Sequence, residues 1–393
     1  MSGRRVVATI SVASALRGLG TVVLMTFLPV YAVLVGMDMA DVGSVVAVTT
    51  AIGVAVTPFT GIAADILGSR TLLAVSTLML CAAPLLPLYI RSWVGVALAY
   101  TFLNLSMYTW MPARGAAVAG SVDRRSMGTS FAVVSLSFQL VRMFAPYIAG
   151  VGIRELGYDV VFTTVSLLAL ATTGVIVVGV PGKRRRAERP TLSDIAAGIA
   201  PKKREVPFHV FLSVDRVGWR LWMPMLNTYL RAHLGFPEDV IGFISSVRGA
   251  ASAVAVLGAG RMVDRYGWRL VLALSEVTGA LGALLMAIAR SPEGFAAAMA
   301  MVGLSIALWM PGYNVAVPHF AGGFGELGRA YARAGFYRSI ASIPAPWIGG
   351  LIAALGPTVP MLVGSLMLFA NTGLVAWLRP VSSKCAGDTH AGV

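Results

Sequence analysis

Two stretches decide the organisation of this chain: residues 61–70 read GIAADILGSR, and residues 258–269 read GAGRMVDRYGWR. Asp264 follows Asp65 by 199 residues, and Arg269 follows Arg70 by the same 199 residues. Further matched residues at this spacing are Gly61 and Gly260, Gly68 and Gly267, Arg17 and Arg216, Gly36 and Gly235, Gly43 and Gly242, Trp110 and Trp309, and Pro112 and Pro311. A constant offset over so many positions indicates that one helical bundle occurs twice in the same orientation.

The composition is that of a membrane protein. Of the 393 residues, 57% are hydrophobic and only 12% are charged, whereas a soluble domain has about 25% charged residues. Because a spanning helix needs about 20 apolar residues, we predict an all-α integral membrane protein with twelve transmembrane helices, six in each copy. The predicted segments are residues 6–35, 42–64, 71–90, 93–117, 127–151, 160–180, 207–231, 240–262, 270–289, 294–318, 331–355 and 358–378.

The distribution of charge predicts the topology. The net charge is +14, and the basic residues concentrate at both termini and in alternate connections, which is the positive-inside pattern rather than that of a nucleic-acid-binding protein. Both termini are therefore predicted to lie in the cytoplasm of a multi-pass plasma-membrane protein. The longest basic connection divides the chain into an N-terminal bundle 1–180, a cytoplasmic linker 181–206, a C-terminal bundle 207–380 and a cytoplasmic tail 381–393.

The repeated loop has a physical interpretation. Gly61 precedes Asp65 by one helical turn, where a small residue allows helices to approach closely. Gly68 permits a tight reversal with positive φ, and Arg70 begins the next helix. A carboxylate beside a helix N-terminus with an arginine in reach forms a contact that can close and break. The second loop repeats this set with Gly260, Asp264, Gly267 and Arg269.

This G-x-x-x-D-x-x-G-x-R pattern, present in both halves of a twelve-segment chain, resembles the signature of the major facilitator superfamily. The resemblance implies two six-helix bundles that rock to give alternating access, a symmetry for which this superfamily is itself a standard example. It also implies that Asp65 and Asp264 are gating residues, and that Arg114 resembles the fourth-span arginine that assists them. The first copy departs from the pattern at Ile66 and Ser69, where many members carry basic residues.

A second, looser resemblance concerns the fifth and eleventh segments. Residues 145–150 read APYIAG and residues 345–350 read APWIGG. Both are similar to the Gly-Pro-x-x-Gly-Gly element of antiporters in the same superfamily, although the leading glycine is alanine in each. Proline kinks and small-residue packing are the alternative explanation, because both occur in many helical bundles.

Arginines within the apolar segments are the main indication of a substrate. Each costs at least about 2.5–3.5 kcal/mol at the bilayer centre, so such residues usually line a cavity. Arg17 and Arg216 occupy equivalent positions in the two copies, and a pseudo-two-fold axis would make them face each other. Paired arginines in segments one and seven resemble those of organophosphate carriers of the superfamily, and guanidinium groups suit carboxylates and phosphates. Structural or gating roles for these arginines are the alternative.

Other intramembrane groups complete the predicted site. Asp215 is the candidate for proton coupling, whereas Glu276 lies on a segment that is usually peripheral in the superfamily. Further polar residues predicted to line the path are Tyr31, Asn104, Gln139, Tyr229 and Asn314, each with helix packing as its alternative role. Arg142, Arg220, Arg248 and Arg338 are additional cations within the segments.

The sequence therefore predicts a secondary transporter rather than an enzyme. It would move a small solute by alternating access, with protons as the expected coupling ion and small organic or phosphorylated anions as the favoured substrates. The alternatives are efflux of amphipathic drugs or metabolites by proton antiport, and a non-transporting sensor or lipid-handling protein with the same fold. The expected partners are the substrate, protons and the lipid bilayer, for a monomer without cofactor, metal or nucleic acid.

Overall fold

The computed structural model describes residues 3–122, 127–182, 200, 202–320 and 327–378. This part of the chain is helical and contains no strand. Its α-helices are α1 (Gly3–Leu34), α2 (Met39–Leu67), α3 (Ser69–Tyr89), α4 (Trp93–Ala119), α5 (Met127–Gly179), α6 (Val206–Arg220), α7 (Leu226–Ala232), α8 (Glu238–Ile288), α9 (Pro292–Phe320), α10 (Leu327–Ala341), α11 (Ala345–Ala353) and α12 (Val359–Trp377).

Seven helices of the described residues are long and apolar enough to cross a membrane. Two of them, α5 with 53 residues and α8 with 51 residues, would each be almost 80 Å long if straight, at about 1.5 Å per residue. This is more than twice the bilayer core of about 30 Å. Each is broken by a glycine with positive φ, Gly157 in α5 and Gly267 in α8. The breaks separate predicted segments five from six and eight from nine.

Two predicted segments are instead divided into shorter helices by proline. Segment seven forms α6 and α7, which are joined by a 3-10 turn, Met223–Met225, around Pro224. Segment eleven forms α10 and α11, with Pro344 immediately before α11. Proline has no amide hydrogen for the helix ladder, which explains the interruptions.

Turn geometry repeats at the same offset as the sequence. The positive-φ glycines of the described residues form three pairs, each 199 residues apart: Gly36 and Gly235, Gly68 and Gly267, and Gly157 and Gly356. The φ angles of Gly68 and Gly267 are 82° and 79°, so the left-handed reversal predicted for the motif loop is confirmed in both copies. Side chains other than glycine rarely adopt this conformation.

The helices divide into two halves with matching internal contacts. We call residues 3–182 the N-terminal half and residues 202–378 the C-terminal half. The hydroxyl of Ser106 donates to the carbonyl of Ser76 at 2.7 Å, and at the equivalent positions Ser305 donates to Ser275 at 2.8 Å. We call the end of the bundle that contains residues 182 and 202 the linker end, and the opposite end the far end.

The two halves meet toward the far end through contacts that are made twice. Gly150 and Gly350 end the matched stretches APYIAG and APWIGG, which are 200 rather than 199 residues apart. A Cβ atom on Gly150 would overlap the backbone of Glu238 and Asp239, and one on Gly350 would crowd Met39 and Ala40, the equivalents of Glu238 and Asp239. In the same way, Gly43 lies against Pro346, and Gly242 lies against Pro146. A contact exchanged in this manner between equivalent residues is the mark of a two-fold relation between the halves.

The apolar cores show that the halves separate toward the linker end. One core near the far end contains residues of both halves, including Leu24, Phe27 and Ile241. At the linker end each half has a core of its own, around Ile10 in one and around Phe208 in the other. The space between the halves is therefore closed at the far end.

Candidate functional site

The middle of the C-terminal half brings two arginines of α6 to the boundary with the N-terminal half. Arg220 donates from Nη1 to the hydroxyl of Thr50 in α2 at 2.9 Å, and it also interacts with Tyr108 of α4 and with the charge of Arg338. Arg216, one turn earlier, is half-buried and lies within electrostatic range of Arg220 and Tyr108. These contacts place two cations where the halves meet.

A buried ion pair lies directly behind these arginines. Asp215 is 1% exposed, and its Oδ2 atom accepts a hydrogen bond from Arg338 of α10 at 2.8 Å. The guanidinium of Arg338 lies 4.0 Å from the centre of the Trp309 ring. Glu276 of α8 is 2% exposed and faces Asp215. The predicted proton-coupling residue therefore lies in a cluster with a second carboxyl group and one cation.

Two further arginines approach each other across the halves, on the two helices that meet near the far end. Arg142 of α5 donates to the side chain of Gln139 at 3.4 Å, and the charge that acts on Arg248 of α8 is that of Arg142. The backbone of Arg142 lies against Gly249, so this pair sits where α5 and α8 touch. A repulsive pair of cations at such a contact is suited to a bound anion.

Arg17 lies in a different environment from its equivalent, Arg216. It is 5% exposed, and Nη2 donates to the hydroxyl of Ser106 at 2.7 Å. Its guanidinium carbon lies 4.7 Å from the centre of the Trp110 ring, and the charge that acts on it is that of Arg114. All of these groups belong to the N-terminal half. The structure thus does not bring Arg17 and Arg216 into contact.

The other predicted path residues are mostly engaged within one half. Tyr31 donates to the carbonyl of Pro87 at 2.8 Å, and Tyr229 is 2% exposed. Asn104 donates to Thr49 at 3.0 Å, and Asn314 is exposed. Gln139 accepts a hydrogen bond from Arg142. Each of these hydrogen bonds joins a predicted path residue to another partner, and none of them joins two path residues to one another.

Sequence reasoning missed a second buried cluster at the linker end. Arg333 of α10 is 2% exposed and binds both carboxylate oxygens of Glu205 at 2.6 Å, while His209 lies 3.4 Å from the same carboxylate. Arg333 lies within predicted segment eleven and His209 within segment seven, but neither of them was assigned a role from the sequence. The repeat offset could have revealed the cluster, because the equivalent residues in the N-terminal half are apolar: Val6, Ile10 and Val134.

Comparisons with known proteins agree with this architecture. The family model described as Major Facilitator Superfamily matches the chain twice, over residues 10–213 and 208–391. The chain belongs to the Major Facilitator Superfamily. It is a membrane transporter of that superfamily, so the predicted family and the predicted class of protein are confirmed.

Known proteins resemble this chain at low sequence identity. Multidrug resistance protein MdtG of Enterobacter lignolyticus (strain SCF1) is 22% identical over 389 residues, which are 91% of this chain and 89% of that protein. A crystal structure of a point mutant of nucleoside transporter NupG has a TM-score of 0.76 at 15% identity and covers 95% of this chain and 98% of its own. A second NupG crystal structure has a TM-score of 0.71 at 14% identity, over 95% and 97%.

The superfamily motif loops lie at the linker end. The structure does not describe the side chain of Asp65 or the environment of Gly61. In the second loop Asp264 is exposed, while Arg269 donates to the carbonyl of Leu378 at the end of α12. Nothing among the described residues lies within 4 Å of a Cβ placed on Gly260. The close helix approach predicted for this glycine is therefore not made in this conformation.

The two basic residues of the N-terminal motif region also stay within their own half. Arg70 lies 3.5 Å, through Nη1, from a Cβ placed on Gly182, where α5 leads into the linker. Arg114 is half-buried next to Arg17. The described contacts of Arg70 and Arg114 are therefore with residues of the N-terminal half.

Proposed function

We propose that this superfamily member transports small organic or phosphorylated anions by alternating access, with protons as the coupling ion. The observation that carries the proposal is the group of arginines at the boundary between the halves. Within the described part of the chain Arg216 makes no ion pair, because the Asp215 carboxylate that acts on it is bound by Arg338. The hydrogen-bond partners of Arg220 in the same part of the chain are neutral hydroxyl groups. Since an uncompensated cation at bilayer depth is costly, an anionic substrate is the natural partner.

The cations on α5 and α8 support the same substrate class. Arg142 and Arg248 stand next to each other with neutral partners, the amide of Gln139 and the thioether of Met223. They differ in this from Arg338, which is neutralised by Asp215. A substrate with more than one anionic group could place one negative charge near Arg216 and Arg220 and another near Arg142 and Arg248. We assign the primary contact to Arg216 and a second contact to Arg142 and Arg248.

The proposed cycle follows from the contacts between the halves. Hydrogen bonds between the halves, among the described residues, lie from the middle of the bundle to the far end, as for Thr228 with Pro29 and Tyr147 with Ser246. We propose that the linker end is cytoplasmic and that this conformation opens to the cytoplasm. Rocking of residues 1–180 against residues 207–380 would open the far end and bring the motif loops together.

The topology has a direct test in the native cysteines. Cys81 and Cys385 are the two cysteines of the chain, and replacing Cys81 with serine leaves one reactive thiol in the proposed cytoplasmic tail. A membrane-impermeant maleimide should label this variant in inverted vesicles but not in intact cells. Labelling in intact cells would contradict the proposed orientation and, with it, the cytoplasmic position of both termini in a twelve-segment plasma-membrane protein.

The substrate class is tested by thermal unfolding of the purified protein. A ligand at 100 times its Kd adds about 2.7 kcal/mol of stability, so the melting temperature is measured with phosphate esters, dicarboxylates, nucleosides, sugars and amphipathic cations. We expect stabilisation by anions in the wild type and its loss in Arg216→Gln. Arg91→Gln is the matched control, because the side chain of Arg91 is 70% exposed.

Efflux of amphipathic compounds is the second candidate. It is favoured by the relative named multidrug resistance protein MdtG, which matches over 91% of this chain. Stabilisation by amphipathic cations alone, equally in wild type and Arg216→Gln, would support this candidate over anion transport. Compounds that bind are then tested for exchange in proteoliposomes. A ligand that binds but is not exchanged would support the non-transporting alternative.

A further inference from the structure

The C-terminal half contains two buried carboxyl groups that face each other. Asp215 of α6 is 1% exposed and Glu276 of α8 is 2% exposed. The groups that act on Glu276 are Asp215, Asn371 of α12 and Arg338 of α10. From α9, Trp309 covers the guanidinium of Arg338. Residues of five helices, α6, α8, α9, α10 and α12, therefore form or surround this pair.

The nearby arginines interact more closely with Asp215 than with Glu276. Arg338 donates to Asp215 at 2.8 Å, and Arg216 also acts on Asp215. Neither carboxyl oxygen of Glu276, by contrast, makes a hydrogen bond of standard geometry within the described residues. An ionised carboxylate without a donor is expensive in such an environment, and the group avoids this cost by taking up a proton. Two carboxyl groups at one site also cannot both ionise easily.

The sequence repeat shows that this cluster is a feature of one half only. At the equivalent positions of the N-terminal half, Asp215 is replaced by Leu16, Glu276 by Thr77 and Arg338 by Gln139. Thr77 there shares a neutral hydrogen bond of 2.8 Å with Thr173. Since the same bundle packs with neutral residues, the three ionisable groups are not a requirement of the fold.

We infer that Glu276 and Asp215 form one proton-binding site, in which Glu276 carries the proton in this conformation and donates it in a hydrogen bond to the Asp215 carboxylate. Arg338 then sets the proton affinity of the site through its charge. The role of this site in transport rests on the proposed function, whereas its existence does not.

The geometry also gives the direction of coupling. A cation near a carboxyl pair lowers its affinity for protons. An anionic substrate that binds Arg216 or draws Arg338 away cancels that effect, so the affinity for a proton rises when substrate is bound. By linkage, protonation raises the affinity for the substrate by the same factor. Proton and anion therefore bind together, which is the requirement for symport rather than antiport.

The site is tested by infrared difference spectroscopy on the full-length purified protein without substrate. We expect the C=O stretching band of a protonated carboxyl group at neutral pH in the wild type, and we expect its loss in Glu276→Gln. Labelling with 13C-glutamate should shift this band, which distinguishes Glu276 from Asp215. Glu293→Gln, at an exposed position of α9, is the matched control and should retain the band.

Each remaining outcome decides the question. Absence of the band in the wild type, or its persistence in Glu276→Gln, overturns the assignment. Should Glu276→Gln fail to fold, Glu276→Thr copies the N-terminal half, and the 13C shift in the wild type needs no variant. In Arg338→Gln we expect the band to persist to higher pH, with proton affinity raised about tenfold or more. An unchanged or lowered affinity overturns the coupling. These spectra need no substrate, so a negative ligand screen would refute anion transport and leave the proton site standing.

Discussion

The N-terminal and C-terminal halves have the same helices but fill three equivalent positions with different chemistry. Leu16, Thr77 and Gln139 are neutral, whereas Asp215, Glu276 and Arg338 are ionisable. The halves nonetheless share the serine contact that joins the helices beside them, Ser76 with Ser106 and Ser275 with Ser305. We therefore assign the shared serine contact to the stability of the fold and the three ionisable residues to the function of the C-terminal half.

The linker end repeats this contrast. Val6, Ile10 and Val134 belong to an apolar core of the N-terminal half, and at the equivalent positions the C-terminal half has Glu205, His209 and Arg333, which are also buried. Replacing a buried ion pair by well-packed apolar residues is often neutral or stabilising, while removing one partner is strongly destabilising. The N-terminal half thus shows which neutral residues can occupy these buried positions in the same fold.

The largest effect is expected from separating Asp215 and Arg338. Arg338→Gln leaves the Asp215 charge buried and unpaired, which should lower the free energy of unfolding by about 3–5 kcal/mol. The double variant Asp215→Leu with Arg338→Gln copies Leu16 and Gln139 and should recover most of that loss, without recovering transport. Denaturant unfolding in detergent and proteoliposome flux measure the two quantities. A double variant no more stable than Arg338→Gln would contradict the equivalence of the halves.

The second effect concerns Glu205 and Arg333. Arg333→Gln should cost about 3–5 kcal/mol, because the buried Glu205 carboxylate loses the cation that binds both of its oxygens. The triple variant Glu205→Val, His209→Ile and Arg333→Val copies the apolar core of the other half, and we expect it to unfold near the wild-type midpoint and to keep transport. Loss of transport in a stable triple variant would show that this pair also takes part in the cycle.

Much of the fold could be predicted because it depends on local and repeated signals. The motif turns at Gly68 and Gly267 have the predicted left-handed geometry, and the offset of 199 residues recurs in the contact of Thr228 with Pro29. The division of segment seven into two helices was not predicted, although Pro224 carried the signal. Periodicity identifies apolar length, but it does not show where a helix is interrupted.

The candidate site was less predictable, because side-chain partners depend on packing between distant segments. Arg17 and Arg216 are equivalent in sequence, yet Ser106 and Trp110 hold Arg17 inside its own half. Glu276 was set aside because its segment is usually peripheral. Only the packing of α6, α8 and α10 shows that Glu276 faces Asp215 and Arg338. A residue-by-residue comparison at the repeat offset would have pointed to Glu276 and Arg338, because their equivalents, Thr77 and Gln139, are neutral.

A smaller effect is expected from the glycines where the halves touch. Gly150→Ala and Gly350→Ala each add a Cβ that overlaps backbone of the other half, at a cost of about 1–3 kcal/mol to the far-end-closed conformation. The native Cys81 and Cys385 are first replaced, and spin labels are attached at Leu156 and Leu355, which are both exposed. In each glycine variant we expect a larger share of long distances between these two labels.

The two-fold relation between the halves also predicts the relative size of the two effects. Because Gly150 and Gly350 make equivalent contacts, the two variants should shift the distance distribution by similar amounts. Gly258→Ala is the control, since no atom of the described residues lies within 4 Å of the added Cβ. A shift in the control, or an effect of only one interface glycine, would mean that the exchanged contacts do not hold the far end closed.

The smallest effect concerns a place where the halves differ at the far end itself. Arg154 donates to Asp239 at 2.7 Å across the interface, and the Asp239 carboxylate raises the pKa of Arg154. The equivalent positions, Ala353 and Ala40, carry no charge, so only one side of the interface has this pair. Because the Arg154 side chain is 56% exposed, salt screens the attraction. In Arg154→Gln the distance distribution between labels at Leu156 and Leu355 should change only slightly at low salt and not at high salt. A change as large as that of Gly150→Ala would show that charge, rather than close packing, closes the far end.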